Sequence, residues 1–131
     1  MTLWDKGQKT DQAVLAFSAG DEYLLDQRLV PYDCLASIAH ARMLLRIGML
    51  SEQETEALVR GLEQVEELNR KGMFPIRPEQ EDCHTAIEEW LTANVGLAGA
   101  KIHLGRSRND QVLTALRLYE KSALDEVRRA L

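Results

Sequence analysis

Lys101-Ile102-His103-Leu104-Gly105-Arg106-Ser107-Arg108-Asn109-Asp110-Gln111-Val112 is the stretch on which the reading of the chain turns. It is the densest run of hydrogen-bonding side chains in the sequence, and it opens straight into a helical pattern. Apolar or small residues recur at Val112, Leu116, Tyr119, Ala123 and Val127, a spacing of three and four on one helical face. The stretch therefore predicts a long helix with two arginines, a serine, an asparagine and an aspartate at its start. A helix start favours anions, because the first-turn N–H groups lack partners and the dipole is positive there. Gly105 allows the backbone to approach a ligand closely. The bland alternative is a capping box, with Ser107 as N-cap and Asp110 in the position usual for Glu or Gln. The physics names a carboxylate or phosphate site and does not name a reaction.

The chain has 131 residues, enough for one domain with a modest core. Its net charge of −5 argues against general nucleic-acid binding, which needs a basic excess to neutralise phosphates. Cys34 and Cys83 are too few and too isolated for a disulfide framework, so two buried reduced thiols are expected. No signal-like apolar segment opens the sequence, and no window reaches the length of a membrane span. These features lead to the expectation of a soluble cytoplasmic protein.

Outward from the opening stretch, the pattern is helical throughout. Thr10 is a candidate cap for a short helix carrying Val14, Leu15 and Phe17 and ended by Gly20, with Trp4 anchoring the arm before it. Residues 21 to 29 suit one or two helical turns, which Pro31 then interrupts. Asp33 is read as the N-cap of a helix over roughly 34 to 47. Leu35, Ile38, Ala39, Met43, Leu44, Leu45 and Ile47 make that helix apolar nearly all round, so burial between several others is expected. Asp33, Ser37 and His40 share a narrower face, and His40 reads as a core or interface histidine satisfied by a neighbour.

Gly48 ends this helix, and Ser51-Glu52-Gln53-Glu54 is a capping box for the next. Leu58, Leu62, Val65 and Leu68 give it one apolar stripe flanked by acids, which places it on the outside of the domain; Gly72 closes it. Met73 to Pro78 reads as a loop or extended strip. A third helix begins near position 81 or 82 with Cys83, Ile87, Trp90 and Leu91 inward. His84 and Glu88 lie four apart on the opposite side, as a surface pair or as polar groups facing a pocket. The last helix runs from about 108 to the end of the chain without a stop signal, as expected of a piece of a longer protein. There are no repeats and no persuasive strands, so the predicted class is all-α.

The sequence lacks HExxH, cysteine pairs at ligand spacing, a P-loop, GxGxxG and a GxSxG elbow. No metal site is expected. What remains is recognition of a carboxylate-rich small molecule by Ser107, Arg108 and Asn109, with His84 as a further candidate.

Gly105-Arg106-Ser107-Arg108-Asn109-Asp110-Gln111-Val112 resembles the first signature region of the argininosuccinate lyase family. Glu81-Asp82-Cys83-His84 resembles that family's upstream Glu-Asp-x-His element. Asp26-Gln27-Arg28-Leu29, Tyr32-Asp33 and Ser37 to Arg42 are also similar, in the family's order, over nearly the whole chain. The resemblance implies the N-terminal helical domain of a fumarase/aspartase-like lyase. Residues 1–107 would form that domain with an extended arm, and 108–131 would begin the first long helix of the central bundle.

The resemblance further implies cleavage of argininosuccinate to arginine and fumarate by β-elimination, without a metal or organic cofactor. A base takes the Cβ proton, and an acid protonates the departing guanidinium nitrogen. Donors aimed at the carboxylates stabilise the intermediate. By carry-over, Ser107 and Asn109 contact substrate, Arg108 neutralises or shapes the carboxylate site, and His84 lies in or beside the pocket. A homotetramer is implied, with no nucleic acid or membrane as partner.

The chain departs from the family at Leu104, where a small hydroxyl residue is usual, and at Trp4-Asp5-Lys6-Gly7-Gln8. A substrate-binding serine of the family has no clear counterpart near Asp21 and Glu22. The family's catalytic serine loop has no counterpart in these residues, so no catalytic residue is assigned. Other readings are a sister lyase acting on adenylosuccinate, aspartate or malate, or a non-catalytic homologue of the lens δ-crystallin kind. The 131-residue chain alone is expected to release no fumarate from argininosuccinate. Absorbance of fumarate above the uncatalysed rate would overturn that expectation.

Overall fold

Ser51 starts the helix Glu52–Arg70 for a local reason. Its hydroxyl accepts from the Glu54 N–H at 3.2 Å, and the Glu54 carboxylate accepts from the Ser51 N–H at 2.9 Å. Two first-turn donors are satisfied reciprocally, which is the capping box the sequence predicts. Lys101 donates to the same carboxylate at 2.5 Å, and with the Ser51 N–H it holds the Glu54 carboxyl down at about 2.

The computed structural model describes residues 20–131, together with Ala13, Val14 and Phe17. Trp4, Thr10 and Leu15, and with them the expected arm and its cap, lie outside the described residues. In chain order the helices are α1 (Glu22–Asp26), α2 (Val30–Arg46), α3 (Glu52–Arg70), α4 (Cys83–Val95), α5 (Leu97–Ala100) and α6 (Arg108–Ala130). A 3-10 turn, Pro78–Gln80, precedes α4, so Pro78 opens a turn of helix instead of ending an extended strip. Among the described residues there is no strand, in keeping with the all-α class. No helix among them is long and apolar enough to cross a membrane.

The start of α2 differs from the sequence reading. The helix begins at Val30, with Leu29 as its N-cap and Pro31 in its first turn. Proline is tolerated there because a first-turn N–H has no helical partner to lose. Asp33 is therefore a buried residue inside the helix and caps nothing. Nor is α2 buried all round: Leu44 is 2% exposed, but Leu35 is 56% and Ile47 62% exposed.

Both long helices of the central hairpin end on glycine. Gly48 has φ +76, and its N–H donates to Leu45 O at 3.0 Å while Met49 N–H reaches Leu44 O at 2.9 Å. Gly72 repeats the pattern with φ +70, donating to Asn69 O at 2.9 Å, followed by Met73 N–H to Leu68 O at 2.8 Å. Each is a Schellman closure, which needs a left-handed residue and so favours glycine.

α2 packs on α3 and on α6, and α4 packs on both α2 and α3. Leu44, Leu58, Leu62, Val65, Ile87 and Leu91 fill the space between them. Residues 73–77 run extended along this core and are held by one side chain. Gln27 Nε2 donates to Phe74 O at 2.8 Å and Asn69 Oδ1 at 2.5 Å, and Gln27 Oε1 accepts from Ile76 N–H at 3.2 Å. Phe74 and Ile76 are buried in consequence.

α6 packs on α2 through part of its apolar stripe and its polar neighbour Gln111. Gln111 and Ala115 are buried, and Tyr119 meets Tyr32 edge-on with ring centroids 5.7 Å apart. Leu113, Leu116, Leu124 and Val127 are exposed. Of the expected stripe, Leu116 and Val127 are exposed while Val112, Tyr119 and Ala123 are partly buried, and Gln111 and Tyr119 reach α2.

Gly99 sits where α5 folds back on α4. A Cβ there would lie 2.4 Å from the Leu91 carbonyl carbon and oxygen and 2.6 Å from the Thr92 nitrogen, all backbone atoms. Backbone cannot swing aside as a side chain does. Gly99→Ala is expected to destabilise the fold by about 1–3 kcal/mol, read as a lower urea midpoint. Gly105→Ala, which meets open space but keeps φ +66, is expected to cost less.

Candidate functional site

Asp33 stands at the centre of the polar interior. It is fully buried, and donors from three helices face it. Within α2, Ser37 Oγ donates to Oδ1 at 3.3 Å. From α6, Gln111 Nε2 donates to Oδ1 at 3.1 Å and Oδ2 at 3.0 Å. From α4, His84 Nδ1 lies 3.0 Å from Oδ2. The two are in close charge contact but not aligned as a hydrogen bond, and that buried nitrogen has no hydrogen-bond partner among the described residues. Burial alone would raise the carboxyl's pKa. The close contact and charge of His84, the Gln111 amide and the Arg106 charge outweigh it and hold Asp33 below the usual carboxylate range.

His84 is therefore not one half of a surface pair with Glu88. It is 1% exposed and faces Asp33. The backbone before it explains the direction. Asp82 N–H donates to Gln80 O at 2.7 Å across Glu81, whose φ is 65 and ψ −47. This is a γ-turn of the strained, positive-φ kind, a conformation that costs on the order of 1–3 kcal/mol in a residue with a side chain. Two contacts hold it: Asp82 Oδ1 accepts from Thr85 N–H at 2.6 Å, and Cys83 N–H donates to Asp26 Oδ2 at 3.1 Å. The turn starts α4 in the register that aims Cys83, His84 and Ile87 inward.

Glu88 has a different partner from the one its spacing suggests. It receives Arg108, with Nη1 on Oε1 at 2.9 Å and Nη2 on Oε2 at 3.3 Å. His103 Nδ1 is 3.2 Å from the same carboxylate. Arg108 Nη1 also donates to Gln111 Oε1 at 2.8 Å, which closes the circuit back to Asp33. Such paired, hydrogen-bonded charges hold their geometry better than solvated ones.

The start of α6 has the capping box expected from the sequence. Ser107 Oγ accepts from Asp110 N–H at 3.2 Å and donates to Asp110 Oδ2 at 2.7 Å, while Ser107 N–H donates to the same oxygen at 3.2 Å. These contacts lower the Asp110 pKa. A ligand can take the Ser107 O–H only by rotating it off Asp110. The N–H groups of Arg108 and Asn109, and the exposed Asn109 side chain, have no hydrogen-bond partner among the described residues.

Sequence reasoning does not single out Arg106 as a site residue, yet it belongs to the cluster. It reaches back to α2, donating from Nη1 to Ser37 Oγ at 3.1 Å. Its Nε and Nη2 are buried without a hydrogen-bond partner among the described residues. Burial weighs against its charge, whereas Asp33 and Glu88 support it. His40 lies beside it, with Nε2 2.9 Å from Leu104 O, the satisfied histidine that its position on α2 suggests. Burial lowers the His40 pKa despite that contact. Cys34 and Cys83 are free, buried thiols, and burial foremost pushes both well above the usual thiol range, which leaves them unreactive.

The structure thus brings His84 to Asp33 and Arg108 to Glu88, and joins the two pairs through Gln111. Ser107 and Asn109 lie on the outer side of the same helix start. A groove of about 420 Å³ lies elsewhere, between residues 73–77 and α4, lined by Phe74, Arg77, Gln80, Trp90 and Asn94 among others. None of Ser107, Arg108, Asn109 or His84 borders it, so it carries no argument about them. Among the described residues no group of three or more His, Cys, Asp or Glu side chains is arranged to hold a metal ion.

A family profile described as Lyase matches residues 6–131. The chain is 54% identical to an argininosuccinate lyase of Sorangium cellulosum, over 95% of its own length and 29% of that protein's. It is 48% identical to one of Thermotoga neapolitana, over 96% of the chain and 32% of that protein. A third, from Synechococcus sp., is 51% identical over 81% of the chain and 22% of that protein. The chain thus spans less than a third of the length of these relatives.

The lowered Asp33 pKa fixes the sign of one pH effect. The folded carboxyl holds its proton less tightly than the unfolded one, whose pKa is about 3.9. The stabilisation is therefore present above that value and is lost as pH falls through the folded one. Urea midpoints are expected to drop between about pH 5 and pH 3, and to drop less in Asp33→Asn, which has no proton to take up there. Equal slopes in the two proteins would refute the assignment.

Proposed function

The chain belongs to the lyase family, and from that premise we propose that it forms the N-terminal part of an argininosuccinate lyase. The whole protein would cleave argininosuccinate to arginine and fumarate, a step of arginine biosynthesis, in the cytoplasm and as a homotetramer. In this reading residues 1–107 are the N-terminal domain, and 108–131 begin the central helical bundle. Ser107, Arg108, Asn109 and His84 belong to the substrate-binding surface. No cofactor is assigned, and the proton-transfer groups lie in the remainder of the protein.

The observation that supports this reading best is the start of α6. Two first-turn N–H groups and the Asn109 amide are unpaired among the described residues, at the positive end of a 23-residue helix. A β-elimination through a carbanion places a second negative charge on the substrate carboxylate next to the broken C–H bond. Fixed donors at that carboxylate stabilise the charge without reorganising. Arg108 adds positive charge while Glu88 and Gln111 hold its direction. Ser107 joins only after its hydroxyl leaves Asp110.

Asn109→Ala in the protein as its gene encodes it tests the assignment. Removing one donor that acts on developing charge is expected to lower kcat by about 10²–10³-fold. The thermal midpoint should stay the same, because the Asn109 side chain is exposed and makes no hydrogen bond among the described residues. Wild-type turnover of argininosuccinate in the variant would remove Asn109 from the site. Absence of fumarate release by the parent protein would end the functional reading itself.

A further inference from the structure

The Asp33 carboxylate is surrounded by more donors than a neutral side chain of the same shape can satisfy. Gln111 approaches from α6 and His84 from α4, so both of its oxygens are engaged. Gln111 can donate to Asp33 only with its amide turned so that Oε1 faces Arg108. His84 can donate to Asp33 only with the proton on Nδ1, which makes Nε2 the nitrogen open to other partners. One carboxylate therefore fixes an amide orientation on one helix and a ring tautomer on another.

We propose that Asp33 is a positioning residue that sets His84 and Arg108 together, binding α4 and the start of α6 into one substrate-carboxylate surface. This rests on the reading of those two residues as substrate-binding, and it adds the group that couples them. An amide at position 33 has one acceptor oxygen. Gln111 Nε2 faces both oxygens of Asp33, so wherever the NH₂ of that amide points it meets that donor, and placed at Oδ2 it meets His84 Nδ1 as well. Asp33→Asn therefore makes Gln111 turn over and face Arg108 with its NH₂, and with the NH₂ at Oδ2 His84 must also move its proton to Nε2. Either placement misplaces at least one half of the surface while the shape of the core stays the same.

The same reasoning predicts a rescue by Gln111→Glu added to Asp33→Asn. In the double variant the amide oxygen at position 33 accepts from His84, and the amide NH₂ donates to the carboxylate now at position 111. The second oxygen of that carboxylate accepts from Arg108. The total charge of the cluster is that of the parent protein, and the contacts to His84 and Arg108 are each remade. A residue that matters only through packing or net charge predicts no such recovery.

The experiment uses the protein as its gene encodes it and compares the parent, Asp33→Asn, Gln111→Glu and the double variant. Two readouts are taken: kcat/KM for argininosuccinate, and the nitrogen and proton NMR signals of the His84 ring and Arg108 guanidinium. Asp33→Asn is expected to lower kcat/KM by about 10–100-fold, the scale of losing a group that orients a ligand-contacting histidine. It should also remove the slowly exchanging Arg108 signal, alone or together with the His84 Nδ1–H signal. The double variant should restore both signals and recover at least about tenfold of the lost kcat/KM.

Parent-like kcat/KM in Asp33→Asn would overturn the proposal, as would a double variant no better than Asp33→Asn. If Asp33→Asn does not fold, the double variant decides: folded with the Nδ1–H signal present supports the proposal, and unfolded or lacking the signal overturns it. If the parent protein proves inactive on argininosuccinate, the functional reading falls. The NMR signals then decide the coupling by themselves.

Discussion

Asp33 carries a full negative charge where water does not reach, and the helices around it are arranged to supply what water would have given. Moving a carboxylate out of water costs several kcal/mol unless hydrogen bonds and opposite charge replace its hydration. Here the replacements come from three separate helices: Ser37 on α2, His84 on α4 and Gln111 on α6. The carboxylate therefore constrains position as well as charge. If α4 or α6 slides by a turn, a buried anion loses a donor. Apolar packing among Leu58, Leu62, Ile87 and Leu91 supplies the larger part of the stabilisation but tolerates small shifts of register. The Asp33 contacts do not tolerate them.

The lever between this interior and the outer surface is short. Gln111 is one turn from Ser107, and Arg108 bridges Gln111 to Glu88. The first turn of α6 is thus clamped on its inner side and left open on its outer side, where Asn109 and two backbone N–H groups have no partner among the described residues. A clamped helix start keeps its dipole and donors directed without help from a ligand, which is what binding a charge that develops during a reaction requires. The strained turn at Glu81 serves the opposite wall, because it lets α4 begin with His84 directed at Asp33.

Local chemistry is legible in the sequence, and long-range pairing is not. The capping boxes at Ser51 and Ser107 and the glycine closures at Gly48 and Gly72 depend on residues within a few positions of each other, and they stand where the pattern puts them. Asp33 escapes such reading because the same side chain that makes a good cap also makes a good buried acceptor, and only the tertiary neighbours decide. Pro31 escapes it because a helix breaker in the interior is an ordinary first-turn residue. The spacing of His84 and Glu88 matches a surface pair, yet their partners come from positions 33 and 108. Hydrophobic periodicity locates α6 and one side of its contact with α2, through Tyr119, but not the buried Gln111, a polar residue that no apolar pattern marks.

The bond between Asp33 and Gln111 spans 78 positions of chain. The α2–α3 hairpin, by contrast, closes over a few residues around Gly48. Long loops close late, since their entropy must be lost before any contact offsets it. The hairpin core is therefore expected in the folding transition state, with the Asp33 cluster still open. Substitutions in the cluster would then leave the rate of folding nearly unchanged and act on the rate of unfolding. The polar centre of this fold works as a latch: it does not guide the chain to its structure but sets how long the finished structure lasts.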